Sequence, residues 1–211
     1  LDAFGKQGGA AIIDDISYNT SAVYQCRMIP HYDPPAKLPP KTCSALQCDF
    51  ESGSCLRSLD SSDLKISEDP VGSRSSGIRS TLDGPFAYAV GPGTASVSLG
   101  PFEFPRNFGI EFCYYVASYH SQLVVYLNRT PDGERERLFI SNDVSSNIHQ
   151  WLCDKIFLNN GTYDAVQILL IEFSAEGLRN EFSYLGLDQI DVYDPILCAS
   201  ACKKSKTEKP P

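Results

Sequence analysis

Turn residues recur about every ten positions from Cys43 to Cys202, and the runs between them have strand length and strand composition. Phe86–Val90 and Ala95–Leu99 flank Gly91-Pro92-Gly93 and read as a hairpin. Phe108–Val116 is a long aromatic run. Gln122–Leu127 and Arg135–Ile140 flank Pro131-Asp132-Gly133, while Gln150–Leu158 and Ala165–Phe173 flank Asn159-Asn160-Gly161. Ser183–Tyr193 closes the series, and Leu64–Ile66 is a short strand inside the Ser- and Asp-rich stretch 58–77. Helix-period runs are scarce. The expectation is an all-β fold of about eight to ten strands packed as a sandwich. Phe112, Tyr114, Trp151 and Phe173 alternate with polar neighbours and are expected to face its interior.

Cysteine usage sets the compartment. The chain has 8 cysteines, an even count, and it carries sequons at Asn19, Asn128 and Asn160. Together they indicate an extracellular location, secreted or on the ectodomain of a membrane protein. No apolar run is long enough to span a bilayer, so direct membrane insertion is not expected. The sequence reads as a processed product or an excised piece, with any anchor outside it. A net charge of −8 removes nucleic acid as a partner, because binding it needs a basic face over the phosphates.

Residues 27–42 hold five prolines, Pro30, Pro34, Pro35, Pro39 and Pro40, and read as a semi-stiff linker in which a helix is excluded. Ahead of it, Ala11-Ile12-Ile13-Asp14-Asp15-Ile16-Ser17-Tyr18 leads to Cys26, much as Leu185-Gly186-Leu187-Asp188-Gln189-Ile190-Asp191-Val192-Tyr193 leads to Cys198. Residues 1–26 are therefore expected to be the last strand of a preceding copy of the domain that occupies 43–202. Residues 203–211, with Lys203, Lys204, Lys206 and Lys209, form a basic, Pro-ended tail.

Several short words fall in one order along 43–202: Cys48-Asp49-Phe50-Glu51 with Cys55, Gly100-Pro101, Phe112-Cys113-Tyr114-Tyr115, Trp151, and Tyr184-Leu185-Gly186-Leu187-Asp188-Gln189-Ile190. In these the chain resembles the MAM family, extracellular domains named for meprin, a neural surface antigen and a receptor tyrosine phosphatase. It departs from the family pattern at Leu56, where a Trp is usual, and at Gln189, where a second Asp is common. The resemblance implies a two-sheet antiparallel jelly roll stapled by disulfides. It also implies a role in adhesion, oligomerisation or domain spacing, without catalysis.

Eight cysteines allow 105 pairings. Cys48–Cys55 is local, and Cys113–Cys153 would join two long aromatic strands. Cys43–Cys198 would staple the domain ends, since the first and last strands of a jelly roll are often close. Cys26 and Cys202 remain, to pair with each other or, for Cys26, with a partner in the preceding copy. The family habit of pairing the Cys113-like residue with a terminal one keeps Cys113–Cys198 as a rival. No cofactor is required. A structural Ca²⁺ would draw on Glu51 and Asp188, with Asp49 next, because the resemblance places both segments near the terminal strands.

The three histidines, His31, His120 and His149, fall in the linker or at loop edges, and no catalytic motif accompanies them. The chain reads as a non-enzymatic module whose partner is an extracellular or cell-surface protein, a second copy included. A carbohydrate-binding jelly roll is the alternative and would use Tyr88, Tyr119 and Tyr126 as stacking platforms. An accessory domain of a secreted metalloprotease is a third reading.

Overall fold

The computed structural model describes residues 38, 40–51, 63–82, 84–102, 108–130, 134–141, 149–158, 168–195 and 199–202. Among these residues one short helix, α1 (Pro40–Leu46), precedes ten strands: β1 (Lys65–Ser67), β2 (Phe86–Val90), β3 (Gly93–Phe102), β4 (Phe108–Val116), β5 (Gln122–Thr130), β6 (Glu134–Ile140), β7 (Trp151–Leu158), β8 (Ile168–Leu178), β9 (Tyr184–Asp194) and β10 (Ala199–Ser200). All pairings are antiparallel. Six strands form one sheet in the order β1-β2-β9-β4-β7, with β10 also on β9; four form the other, β3-β8-β5-β6. The fold is a two-sheet jelly-roll sandwich, as the strand pattern and the resemblance led us to expect.

Alternation along each strand builds the core. On the four-stranded sheet, Leu123, Val125 and Leu127 of β5 point inward, with Phe173 and Ala175 of β8 and Val97 and Leu99 of β3 beside them. From the six-stranded sheet come Ile110, Phe112 and Tyr114 of β4 and Leu185 and Leu187 of β9. Phe112 meets Phe139 and Phe173 edge to face, each with ring centroids 5.2 Å apart, a geometry that aligns ring edge with ring face.

Four expectations are corrected. First, α1 begins inside the stretch read as linker. Proline at the first helical position lacks only a donor that would have no intrahelical partner, so Pro40 starts a helix it would break further in. Thr42 and Leu46, one turn apart, are buried, and Leu38 already belongs to the core. Second, β2 and β3 are not a paired hairpin. Val90 pairs with Tyr184 while Gly93 pairs with Leu178, so the Gly91-Pro92 turn carries the chain from one sheet to the other.

Third, Trp151 faces outward. The β4–β7 register sets Leu152 opposite Tyr114 and Trp151 opposite Tyr115, and Tyr114 is the one that enters the core. Trp151 joins a second cluster on the outer face of the six-stranded sheet, built on Ile78, Phe86, Tyr115 and Ala117. The segment around Val71 and Ile78 covers that cluster, bridged to itself by two backbone hydrogen bonds of 3.0 and 2.8 Å. The Trp151 indole Nε1 donates to Ser80 O at 2.8 Å, and the Arg79 amide donates to the Tyr115 hydroxyl at 3.2 Å.

Fourth, Cys43 bonds Cys202, with Cα atoms 5.5 Å apart, and not Cys198; this also removes Cys26–Cys202. Chain direction explains the exchange. One edge of β9 is taken in turn by β2 at Tyr184–Leu187, by Cys48 at Ile190 and by β10 at Tyr193–Asp194. Because β10 runs antiparallel to β9, each residue after Ala199 moves back toward the Cys48 bridge, and the Ala201 amide donates to Val192 O at 2.7 Å. Cys202 thus arrives beside the segment that carries Cys43. Cys113–Cys153 is formed between directly opposed residues of β4 and β7, so the rival Cys113–Cys198 is not. Cys48 is disulfide-bonded. Cys26, Cys55 and Cys198, the preceding-copy strand 1–26 and the tail 203–211 lie outside the described residues.

Candidate functional site

A cavity of about 510 Å³ opens between the Gln47–Glu51 segment and strands β4, β7 and β9. A break in the β4–β9 ladder creates it. Glu111 pairs with Asp191 and Cys113 with Asp188, so β9 carries an extra residue across from β4. That bulge turns on Gln189, whose φ of 50° is in the left-handed region. Asp188 Oδ1 accepts the Gln189 amide at 2.7 Å, and Asp191 Oδ1 accepts the Val192 amide at 2.8 Å. On the opposite wall, Asp49 Oδ1 accepts the Glu51 amide at 3.1 Å, an Asx-type turn. It lets the buried Phe50 take a φ of 57°.

The three residues expected from sequence to hold Ca²⁺, Glu51, Asp188 and Asp49, all line this cavity, together with Glu111 and Asp191. Among the described residues no group of three or more His, Cys, Asp or Glu side chains converges on a cation position. Asp188 is 1 % exposed and its Oδ1 is engaged by the bulge. The Glu51 carboxylate lies over Gly84, where an added Cβ would stand 2.5 Å from Oε1.

Cavity residues that the sequence did not single out are Gln47, Glu111 and Asp191. Glu111 stands two positions before Cys113 on an alternating strand, which does place both on one face. The bulge left no local signal.

Beyond the cavity, β7 carries an exposed aromatic on the outer face of the six-stranded sheet. Phe157 is 54 % exposed. Its ring meets Tyr193 edge-on at 6.2 Å across the gap left by Gly109. Lys155 Nζ sits 3.8 Å from the Tyr193 ring centre and 3.5 Å from Glu111 Oε2.

The three tyrosines considered for sugar stacking are not assembled into a platform. Tyr88 packs against the outer-face cluster. Tyr126 is covered by Arg135, whose guanidinium carbon lies 3.5 Å from the ring centre. The Tyr126 hydroxyl donates to Glu176 Oε1 at 2.9 Å; burial and this hydrogen bond raise its pKa, against a smaller opposing effect of Arg135 and Arg137. Tyr119 is 69 % exposed in a separate turn. Of the sequons, Asn128 lies on β5, half-buried and paired with Arg135 and Leu170. Asn19 and Asn160 lie outside the described residues, as does His31. His149 packs beside Tyr115, ring centres 6.3 Å apart, and burial followed by the charge of Arg79 lowers its pKa.

No family model matches the chain, and no curated protein matches it. Solved structures do resemble it. The third cleaved adhesin domain of Lys-gingipain from Porphyromonas gingivalis W83 superposes with a TM-score of 0.46 at 12 % identity, over 71 % of this chain and 98 % of that one. A xylan-binding domain from Paenibacillus barcinonensis gives 0.45 at 12 % identity, over 71 % and 92 %. A family 11 carbohydrate-binding module from Clostridium thermocellum, in complex with a mixed-linked tetrasaccharide, gives 0.41 at 16 % identity, over 70 % and 94 %. At this distance the ligands of those domains say nothing about the ligand of this chain. Among the described residues no helix is long and apolar enough to cross a membrane.

Proposed function

We propose that this chain is a non-catalytic extracellular binding module of the MAM type whose ligand is another protein. The observation that carries the choice of ligand is the β7–β9 part of the outer face. There an exposed aromatic, Phe157 against Tyr193, adjoins a charged cavity. An aromatic anchor with a polar surround is the arrangement protein interfaces favour. Of the aromatics a sugar site would need, Tyr88 is used in packing and Tyr126 is covered by Arg135, which leaves Tyr119 by itself on a separate turn.

What supports the family reading is how its separate words meet. Tyr115 of β4 pairs with Trp151 of β7 and with Gly186 of β9, and Cys113 pairs with Cys153 and Asp188. Words far apart in the chain occupy one patch on three adjacent strands. The disulfides support an oxidising, extracellular setting.

Two measurements test the proposal. The chain should show no specific binding on an array of plant, bacterial and animal glycans; a saturable glycan signal lost on changing Tyr119 or Tyr126 would replace it with the carbohydrate reading. A photo-crosslinker at position 157 should capture a discrete cell-surface protein or a second copy, and Phe157→Ala should weaken that binding at least about tenfold, as expected for an aromatic anchor.

A further inference from the structure

The two described disulfides have different surroundings. Cys43 and Cys202 are half-buried and pack against the main core. Cys153 is exposed on β7, the last strand in the order of its sheet, and both Cys113 and Cys153 line the acidic cavity. Cys113 itself is only 3 % exposed. An incoming thiol therefore meets Cys153 before it meets Cys113.

The bond is also not what keeps its own strands together. A continuous ladder from Phe108↔Leu158 to Tyr115↔Trp151 joins β4 to β7. Opening the disulfide leaves the two cysteines facing each other, ready to close again. The buried sulfur has an acceptor in reach, since Gln189 Oε1 is 3.8 Å from Cys113 Sγ. A Cys113 thiol would be accommodated where it forms.

The cavity walls select the attacker. Glu51, Glu111 and Asp191 line it, with no Lys or Arg among the described lining residues. Lys155, two residues beyond Cys153, is engaged by Glu111 and by the Tyr193 ring. A thiolate brings negative charge to these walls. A positive group on the same molecule offsets that charge, and a second negative group adds to it.

We propose that Cys113–Cys153 is a thiol–disulfide exchange site, opened at Cys153, that accepts neutral or cationic thiols and turns anionic ones away. The attacking thiolate bonds Cys153 Sγ as the Cys113–Cys153 bond breaks. The electron pair leaves on Cys113 Sγ, which takes a proton from water. A monothiol stops there, with Cys153 as a mixed disulfide. With a dithiol, the second sulfur attacks the first at the mixed disulfide and frees Cys153. The dithiol loses two electrons and the protein gains them.

The test uses the folded chain at low ionic strength and three reagents at matched thiolate concentration: cysteamine (cationic), dithiothreitol (neutral) and 2-mercaptoethanesulfonate (anionic). Alkylation and peptide mapping then locate free thiols and adducts. Cysteamine should add to Cys153 at least about fivefold faster than the sulfonate, a difference that a few carboxylates at the entry supply. The gap should close in about 1 M salt, where screening acts over about 3 Å. Glu111→Gln should narrow it, with the circular dichroism of the sheet unchanged throughout. Opening of Cys43–Cys202 first or at an equal rate would overturn the proposal. So would adducts on Cys113, equal rates for the cationic and anionic thiols, or reaction only after the sheet signal is lost.

Discussion

Gly186 should be a size-sensitive position on the outer face of the six-stranded sheet. A Cβ there would meet Trp151 Cη2 at 2.9 Å, Ile78 Cδ1 at 3.1 Å and Tyr115 Cβ at 3.3 Å, against an optimum of about 3.5–4.0 Å. None of the three can retreat freely. The indole is tethered to Ser80 O at 2.8 Å and packs edge-on against Phe86 and Tyr115 at 5.5 Å each. Ile78 belongs to the bridge with Val71, and Tyr115 Cβ is fixed to the centre of β4. Overpacking of this kind costs about 1–3 kcal/mol. Removing a glycine from a strand returns about 0.5–1 kcal/mol. The Trp151 contact, below 3.0 Å, puts the cost in the upper half of that range, so Gly186→Ala should destabilise by about 1–2.5 kcal/mol by difference.

Trp151→Phe deletes the atom that clashes most, so in that background the same change should cost about 1 kcal/mol less, a coupling within the usual range for touching residues. Urea unfolding without reductant, followed by circular dichroism, gives all four corners of the cycle. Fluorescence adds a local readout in the two variants that keep Trp151, because the chain has 1 Trp. A neutral or stabilising Gly186→Ala, or strictly additive effects, would refute the claim that this glycine exists to let the 71–80 segment close over the sheet.

Two further outcomes follow from the same structure. His149 has its pKa lowered from 6.5 by burial and then by Arg79, so the unfolded chain takes up the proton first as pH falls. Its contribution to stability should be intact above about pH 6.5 and be lost as pH drops through the lower folded value. The urea midpoint should show this slope, and His149→Gln should flatten it; an unchanged slope would mean that other groups carry it. Replacing Cys43 and Cys202 together by Ala opens a loop of sequence separation 159, worth about 5 kcal/mol in the chain-entropy model. A measured loss below about 1 kcal/mol would show that pairing along the β9 edge already holds the domain ends together.

Strand positions were legible because their signals are local. Phe108–Val116 was read with the bounds it has, and Pro131-Asp132-Gly133 does fall between two paired strands, β5 and β6. The same kind of signal misled at Gly91-Pro92-Gly93, where turn chemistry specifies a reversal but not whether the next strand pairs with the last one or crosses to the other sheet. Pro40 shows a similar limit. A count of prolines excludes a helix interior, whereas one proline at a helix start is favourable. The candidate site was half legible: Asp49, Glu51 and Asp188 do line one cavity, but the bulge at Gln189 that shapes it and the packing of Glu51 over Gly84 arise only between strands.

By itself, then, the sequence determined an all-β chain with an aromatic core and cysteines suited to an oxidising setting. Alternation, turn residues and composition act within a few residues of each other. Tertiary structure decided which face of each strand is inside, which cysteine meets Cys43, and which aromatics are covered. A period of two says that Trp151 and Leu152 point opposite ways; only pairing with β4, whose Tyr114 faces the second sheet, says that Leu152 is the one turned inward. The order in which β2, Cys48 and β10 share one edge of β9 likewise decided the Cys43–Cys202 bond.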